Sequence, residues 1–128
     1  MGGQRERVLV VDDAANLREL LTVLLGAEDD FVVVGTAADG RQAIERAAQL
    51  RPDLVLLDLA MPVMDGLEAL PRLREVVPDA LIVIFSGFEH EHLARAALAA
   101  GADDYVEKGT SVTSLVGRLR RLRDESGR

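Results

Sequence analysis

Five short runs rich in β-branched and aliphatic residues alternate with five longer amphipathic stretches, and that alternation restricts the chain to very few folds. The short runs are "RVLVV" (Arg7–Val11), "FVVVGTA" (Phe31–Ala37), "LVLLD" (Leu54–Asp58), "LIVIFS" (Leu81–Ser86) and "DYVEK" (Asp104–Lys108). After the first, Leu17, Leu20, Leu21, Leu24 and Leu25 recur at helical spacing. A second helix is predicted from about Gly40 to Leu50, stopping before Pro52, and a third from about Leu67 to Val77. The Ala-rich segment Glu89–Ala100 predicts a fourth, ended by Gly101. Val112, Leu115, Val116, Leu119 and Leu122 form one stripe of a last helix, with Thr110 or Ser111 as its N-cap. Runs one, three and four are apolar almost throughout rather than at every second residue. A strand of that kind is buried on both faces, as in a parallel sheet between helices. Five such units joined by right-handed crossovers give a doubly wound (βα)5 three-layer α/β sandwich.

The 128 residues suit one domain, expected over residues 5–124, with flexible ends at 1–4 and 125–128. With 48% apolar but only 3% aromatic residues, the core must be aliphatic. The absence of cysteine excludes disulfides and thiol chemistry. No apolar run approaches the roughly 18 residues of a membrane span, and "MGGQRER" lacks the apolar centre of a signal peptide, so a soluble cytoplasmic domain is expected. A net charge of −7 argues against direct binding of nucleic acid by this segment. The basic "GRLRRLRDESGR" reads as the solvated face of a terminal helix.

In a doubly wound sheet, ligands bind beyond the carboxyl ends of the strands. There the sequence places Asp12 and Asp13, Asp58, Ser86 and Lys108, the single lysine beside fourteen arginines. Each alone has an ordinary explanation as a turn, a cap or a snorkelling cation. Together they converge on one crevice. Two carboxylates about 4 Å apart repel by roughly 4 kcal/mol at an effective dielectric near 20, so three converging acids call for protonation, water or a cation. Oxygen ligands without His or Cys suit Mg²⁺, with Mn²⁺ as a substitute. A crevice offering a divalent cation, a carboxylate nucleophile, a hydroxyl and an ammonium suits phosphoryl transfer.

The pieces "VLVVDD", "PDLVLLDLAMPVMDG", "IVIFSG" and "AGADDYVEKG", in this order and at these spacings, resemble the receiver domains of two-component response regulators over about Arg5 to Arg123. The resemblance implies a strand order 2-1-3-4-5, the order of the flavodoxin-like folds. It implies that Asp58 accepts a phosphoryl group from a sensor histidine kinase or a histidine phosphotransfer protein. Asp13, Asp58 and the Ala60 carbonyl would ligate Mg²⁺ directly, and Asp12 through a metal-bound water. Ser86 and Lys108 would contact phosphoryl oxygens, and Gly87 would leave the group room. Tyr105 matches the aromatic that swings inward on activation, reporting to the face of helix 4, strand 5 and helix 5, where homodimers are also expected. Pro62 and Met64–Gly66 would shape the loop over the site. Such a domain catalyses only its own phosphorylation and dephosphorylation. It stands alone or forms the receiver segment of a longer regulator.

Two features depart from the family. Gly109 stands where proline usually follows the lysine with a cis bond, and a cis bond is far less favourable without proline. Glycine there is similar to receivers attached to helix-turn-helix outputs. Phe88 lies two residues beyond Ser86, beside the path of an attacking water, with Ala60 offering little polarity. In "EHEH", His90 and His92 are two apart and share no helix face, so they are read as a surface helix start rather than a metal pair. The Ala-rich "LARAALAAGA" reads as a close-packed or partner-facing helix. A Mg²⁺-dependent aspartyl phosphohydrolase of the haloacid dehalogenase type would need a second acid where Ala60 stands. A flavodoxin would want a Ser/Thr/Gly-rich loop where two acids stand. A phosphorylation-independent interaction module leaves the complete acid, hydroxyl and lysine set without a task. Phe88 yields a rate prediction: replacement by serine or asparagine should shorten the lifetime of the phosphorylated form, read from decay of labelled protein, and an unchanged lifetime would remove Phe88 as a rate-tuning residue.

Overall fold

The computed structural model describes residues 5–127, apart from the side chain of Phe88. The rate-tuning role expected of Phe88 and the expected flexible ends at 1–4 and 128 therefore lie outside the described residues. The order of elements is β1 (Glu6–Val11), α1 (Ala15–Gly26), β2 (Phe31–Ala37), α2 (Gly40–Leu50), β3 (Leu54–Leu57), α3 (Gly66–Val76), β4 (Leu81–Ser86), α4 (Ala94–Ala99), β5 (Asp104–Glu107) and α5 (Val112–Glu125). The five strands form one parallel sheet in the order β2-β1-β3-β4-β5, as the resemblance implied.

The apolar runs sort by parity onto the two faces of the sheet, because successive side chains of a strand point to opposite sides. Leu9, Val11, Val55, Leu57, Ile82 and Ile84 face one way and pack with Ala43 and Ala47 of α2, Leu70 and Leu73 of α3, and Ala97 of α4. Val8, Val10, Leu54, Leu56, Val83 and Phe85 face the other way against Leu21 and Leu25 of α1 and Leu115, Val116 and Leu119 of α5. Aliphatic burial on both faces is the main stabilising term, at about 25 cal/mol per Å² of apolar surface removed from water.

One helix departs from expectation. The segment predicted as a single helix from Glu89 to Ala100 begins as a 3-10 helix, Phe88–Leu93, and becomes α-helical only over α4. The tighter winding is set by the His90 amide, which donates to the Gly87 carbonyl three residues back at 3.0 Å. The end of α4 is as expected. Gly101 has φ 122°, the Ala102 amide donates to the Ala97 carbonyl and the Gly101 amide to that of Leu98, which is the Schellman arrangement. Ser111 rather than Thr110 caps α5, accepting from the Ser114 amide.

The β3–α3 connection positions the site most tightly. Asp65 and Glu68 form a reciprocal capping box at the start of α3. A methyl group on Gly66 would overlap the carbonyl oxygen of Asp58, so only glycine lets α3 begin this close to β3. Before it, the Met64 amide donates to the Pro62 carbonyl at 2.7 Å across Val63, whose φ is 68°. That is the strained, positive-φ form of the γ-turn, held here by a β-branched residue that is 77% exposed. Val63→Gly relieves this strain without loss of packing and should raise unfolding free energy by about 1 kcal/mol in denaturant titrations. Gly66→Ala should act oppositely, costing about 1–3 kcal/mol through the overlap with Asp58.

Candidate functional site

Parallel register brings the acids together. Val11, Leu57 and Ile84 lie side by side on β1, β3 and β4, so Asp12 and Asp58 leave adjacent strands at the same level. The ladder still holds their backbones: the Asp12 amide donates to the Ala37 carbonyl and the Asp58 amide to the Val11 carbonyl, both at 3.0 Å. On the other side the Lys108 amide donates to the Ser86 carbonyl at 2.9 Å, which carries the lysine back over the sheet edge. Asp12, Asp58 and Ser86 are buried, Asp13 is exposed, and Lys108 is partly exposed.

The lysine bridges the two buried acids. Its Nζ lies 2.7 Å from Asp12 Oδ2 and 3.2 Å from Asp58 Oδ2. Burial works to lower the ammonium's pKa, but the Asp12 hydrogen bond and the charges of Asp58 and Asp12 outweigh it and hold the pKa above the ordinary lysine value. Asp58 behaves oppositely. Burial pushes its carboxyl pKa up, Lys108 pulls it down, and the Asp12 charge raises it again, for a net rise. Asp58 Oδ1 accepts the Ser86 hydroxyl at 2.9 Å and, at a longer 3.4 Å, the Ala60 amide.

The acids divide their tasks. Asp12 is occupied on both oxygens, Oδ1 by the Ala14 amide at 2.9 Å and Oδ2 by Lys108. Arg18 donates to the Asp12 backbone carbonyl at 2.7 Å and fixes the strand end further. Asp13 makes no hydrogen bond or ion pair among the described residues. One carboxylate oxygen each from Asp12, Asp13 and Asp58 lies within 4.8 Å of the others. An all-oxygen set with one exposed, unengaged carboxylate fits a hard divalent cation that retains water, as Mg²⁺ does. Ala60 is exposed; its amide faces the Asp58 carboxylate, and its carbonyl accepts no hydrogen bond from another described residue.

Two neighbours of the crevice carry other contacts. The Tyr105 hydroxyl donates to the Gly87 carbonyl at 3.3 Å, and burial together with Glu107, Glu91, Glu89 and Asp58 raises its pKa. The space over Gly87 is taken by the folded-back Glu89 carboxylate rather than left open. The Lys108–Gly109 bond is trans, since no cis peptide occurs among the described residues. Gly109 sits in a turn closed by the Thr110 amide on the Glu107 carbonyl, with ordinary space around its Cα. His90 escaped the sequence reading, which weighed it only against His92. Its Nδ1 lies 3.2 Å from Ser86 Oγ, and the available signal was its position four residues after that serine.

Comparison with known proteins is consistent across three measures. The model of the response regulator receiver domain matches residues 8–120. A protein-glutamate methylesterase/protein-glutamine glutaminase of a Nocardioides species is 43% identical over 120 residues, covering 92% of this chain and 33% of that protein. The nitrate/nitrite response regulator protein NarL of Escherichia coli K12 is 44% identical over 112 residues, covering 88% of this chain and 52% of NarL. The chain thus spans about a third to a half of the length of these relatives. Among solved structures, the response regulator domain of Thermotoga maritima CheB superposes with a TM-score of 0.84 at 32% identity, covering 98% of both chains. A chain of the CheX-CheY-BeF3-Mg complex of Borrelia burgdorferi superposes with a TM-score of 0.86 at 29% identity, covering 94% of this chain and 90% of that one.

The raised pKa of Asp58 has a consequence for stability. Its ionised form destabilises the fold above the ordinary carboxylate range, and that cost vanishes as pH falls below the range and the group is protonated in both states. Asp58→Asn should therefore raise the thermal midpoint at neutral pH by about 5 °C. The gap between variant and parent should close on acidification; a gap independent of pH would contradict the electrostatic origin.

Proposed function

This chain belongs to the response regulator receiver domain family, and on that premise we propose that it is a phosphoaspartate switch whose acceptor is Asp58. The donor is a phosphohistidine on a sensor histidine kinase or a histidine phosphotransfer protein. One observation carries the reading: the buried Asp58 carboxylate is engaged by a hydroxyl on one oxygen and an ammonium on the other, beside two further acids.

An ionised Asp58 oxygen attacks the phosphorus, the phosphorus–nitrogen bond breaks, and the donor imidazole leaves with the bonding pair and takes up a proton. The product is an acyl phosphate. Lys108 keeps Asp58 ionised against the pull of burial. Asp13, Asp58 and the Ala60 carbonyl would hold a divalent cation, with Asp12 contributing through water, and the cation would neutralise the charge gathered between acid and phosphoryl group.

Phosphorylation adds about −1.5 to −2 charge and strong acceptor oxygens to the crevice. Ser86 and Lys108, both turned on Asp58 in this conformation, gain better acceptors. A ligand shifts an equilibrium only by its differential affinity for the two states, and these two donors supply it. Tyr105 joins the crevice to the exterior, since its hydroxyl rests on the carbonyl of Gly87, the residue after Ser86. The face of α4, β5 and α5 is therefore where the state is read.

Acetyl phosphate with Mg²⁺ should place one hydroxylamine-labile phosphate on the protein. Asp58→Ala should abolish it and chelation of Mg²⁺ should prevent it; label persisting in Asp58→Ala would refute the assignment. Lys108→Arg, equal in charge but planar and wider, should weaken binding of beryllofluoride, a phosphoryl mimic, by about tenfold or more.

A further inference from the structure

The hydrogen inventory around Ser86 is unusually restrictive. A serine hydroxyl has one hydrogen and two lone pairs. Its oxygen is fully buried and has two polar side-chain neighbours, Asp58 Oδ1 at 2.9 Å and His90 Nδ1 at 3.2 Å. An ionised carboxylate only accepts, so the hydroxyl hydrogen is committed to Asp58. Ser86 Oγ then presents a lone pair to His90, and a bond forms only if Nδ1 carries a hydrogen. The second neighbour of the same nitrogen agrees: Glu89 Oε1, also an acceptor, lies 3.4 Å away. A bare Nδ1 would face two acceptor oxygens.

The backbone builds this contact. Gly87 is extended at φ −69°, ψ 160°, and the 3-10 turn that follows brings residue 90 back over residue 86. The histidine is only partly exposed, so its ring is held between solvent and the crevice.

We propose that His90 is a positioning residue for the switch hydroxyl. Its Nδ1–H donates to Ser86 Oγ and fixes that oxygen at the crevice. The single hydroxyl hydrogen then points at Asp58 in this conformation and is available to a phosphoryl oxygen after transfer. This rests on the reading of Ser86 as a phosphoryl contact. Without the donor, the serine side chain is free to sample its other staggered wells, and the phosphoryl site is less ordered before it is filled. One hydrogen bond corresponds to a loss of about 3- to 10-fold in affinity for a phosphoryl mimic.

Two measurements test this. In the metal-free protein at alkaline pH, where an imidazole is neutral, the ring nitrogen shifts of His90 should report the Nδ1–H tautomer. A neutral ring protonated at Nε2 with bare Nδ1 would overturn the proposal. The second is beryllofluoride titration in Mg²⁺, followed by NMR, for the parent, His90→Leu, His90→Asn, Ser86→Ala and the Ser86→Ala/His90→Leu pair. His90→Leu should weaken binding by about 3- to 10-fold. His90→Asn, whose amide nitrogen stands as far along the side chain as Nδ1, should restore it, and in the Ser86→Ala background His90→Leu should add nothing. If Ser86→Ala weakens binding but His90→Leu does not, the role of His90 fails and the reading of Ser86 stands. An equal loss from His90→Leu with and without Ser86 marks a merely structural residue and also overturns it. If Ser86→Ala binds as tightly as the parent, the reading of Ser86 fails and this inference with it.

Discussion

Parallel pairing of β1 with β3 forces Asp12 and Asp58 to emerge together from the sheet edge, and both are buried. Carboxylates at such spacing repel by about 4 kcal/mol even at an effective dielectric of 20, a large share of the 5–15 kcal/mol that holds a domain folded. The ammonium of Lys108 between them makes the arrangement tolerable. It does so incompletely: burial and the Asp12 charge still outweigh the lysine, and Asp58 remains a destabilised carboxylate.

The single lysine now contrasts with the fourteen arginines in chemical terms. Arginines clamp where a planar fork fits: Arg118 takes Asp104 through two nitrogens, Arg120 takes Asp30 and Glu28, and Arg74 takes Asp103 together with the Gly101 carbonyl. Arg120 and Arg123 also lie over the Phe31 ring at 5.7 and 5.8 Å, tying α5 to the start of β2. The Asp30 carboxyl is held far below the usual range by its arginine partners, so that end of the molecule is electrostatically content. Exposed pairs of this kind contribute about 0–1 kcal/mol each, and their value lies in fixing geometry. At the crevice a guanidinium would present its donors in one fixed plane, whereas the compact three-donor ammonium of Lys108 bridges Asp12 and Asp58 and can be re-aimed.

The strands and their sidedness were legible because apolar runs of that length and composition have few other uses, and Asp12, Asp13, Asp58, Ser86 and Lys108 all lay at strand ends that the runs themselves define. The order of the strands was not, since periodicity carries no information about neighbours; it came with the family resemblance. Local sequence also misjudged the start of the fourth helix. Glu89 to Ala100 has good helical composition, yet its beginning is wound as 3-10, with the His90 amide on the Gly87 carbonyl at one end and the Ala94 amide on the Glu91 carbonyl at the other. Nor could sequence tell that Asp12 is consumed by Ala14 and Lys108 while its neighbour Asp13 stays unengaged, because those contacts are set beyond the end of β1, by the turn into α1 and by the reach of Lys108 from the far side of the sheet. His90 was missed for a related reason. Its partner is not another histidine at ligand spacing but a serine on the preceding strand, visible only once the turn after β4 is known.

Strain and repulsion are concentrated around one loop and one carboxylate. Val63 holds a positive φ, Gly66 permits a backbone approach that any other residue would block, and Asp58 is buried against its preference. Away from the site, Arg51 ends α2 with φ 50° and the β1–β2 register shifts at Val8–Leu9, while both faces of the sheet are covered by apolar residues at almost full burial. A rigid sheet is what allows small changes at the edge to matter. Asp58 cannot drift away from Asp12, because both amides are in the ladder, and Ser86 and Lys108 cannot drift from each other, because they share a backbone bond. A new charge on Asp58 therefore cannot be absorbed by movement of the strands. It would have to be answered by the side chains aimed at that carboxylate, the Ser86 hydroxyl and the Lys108 ammonium, and under the proposed reading the response would leave the site through the segment from Gly87 into α4 that follows Ser86.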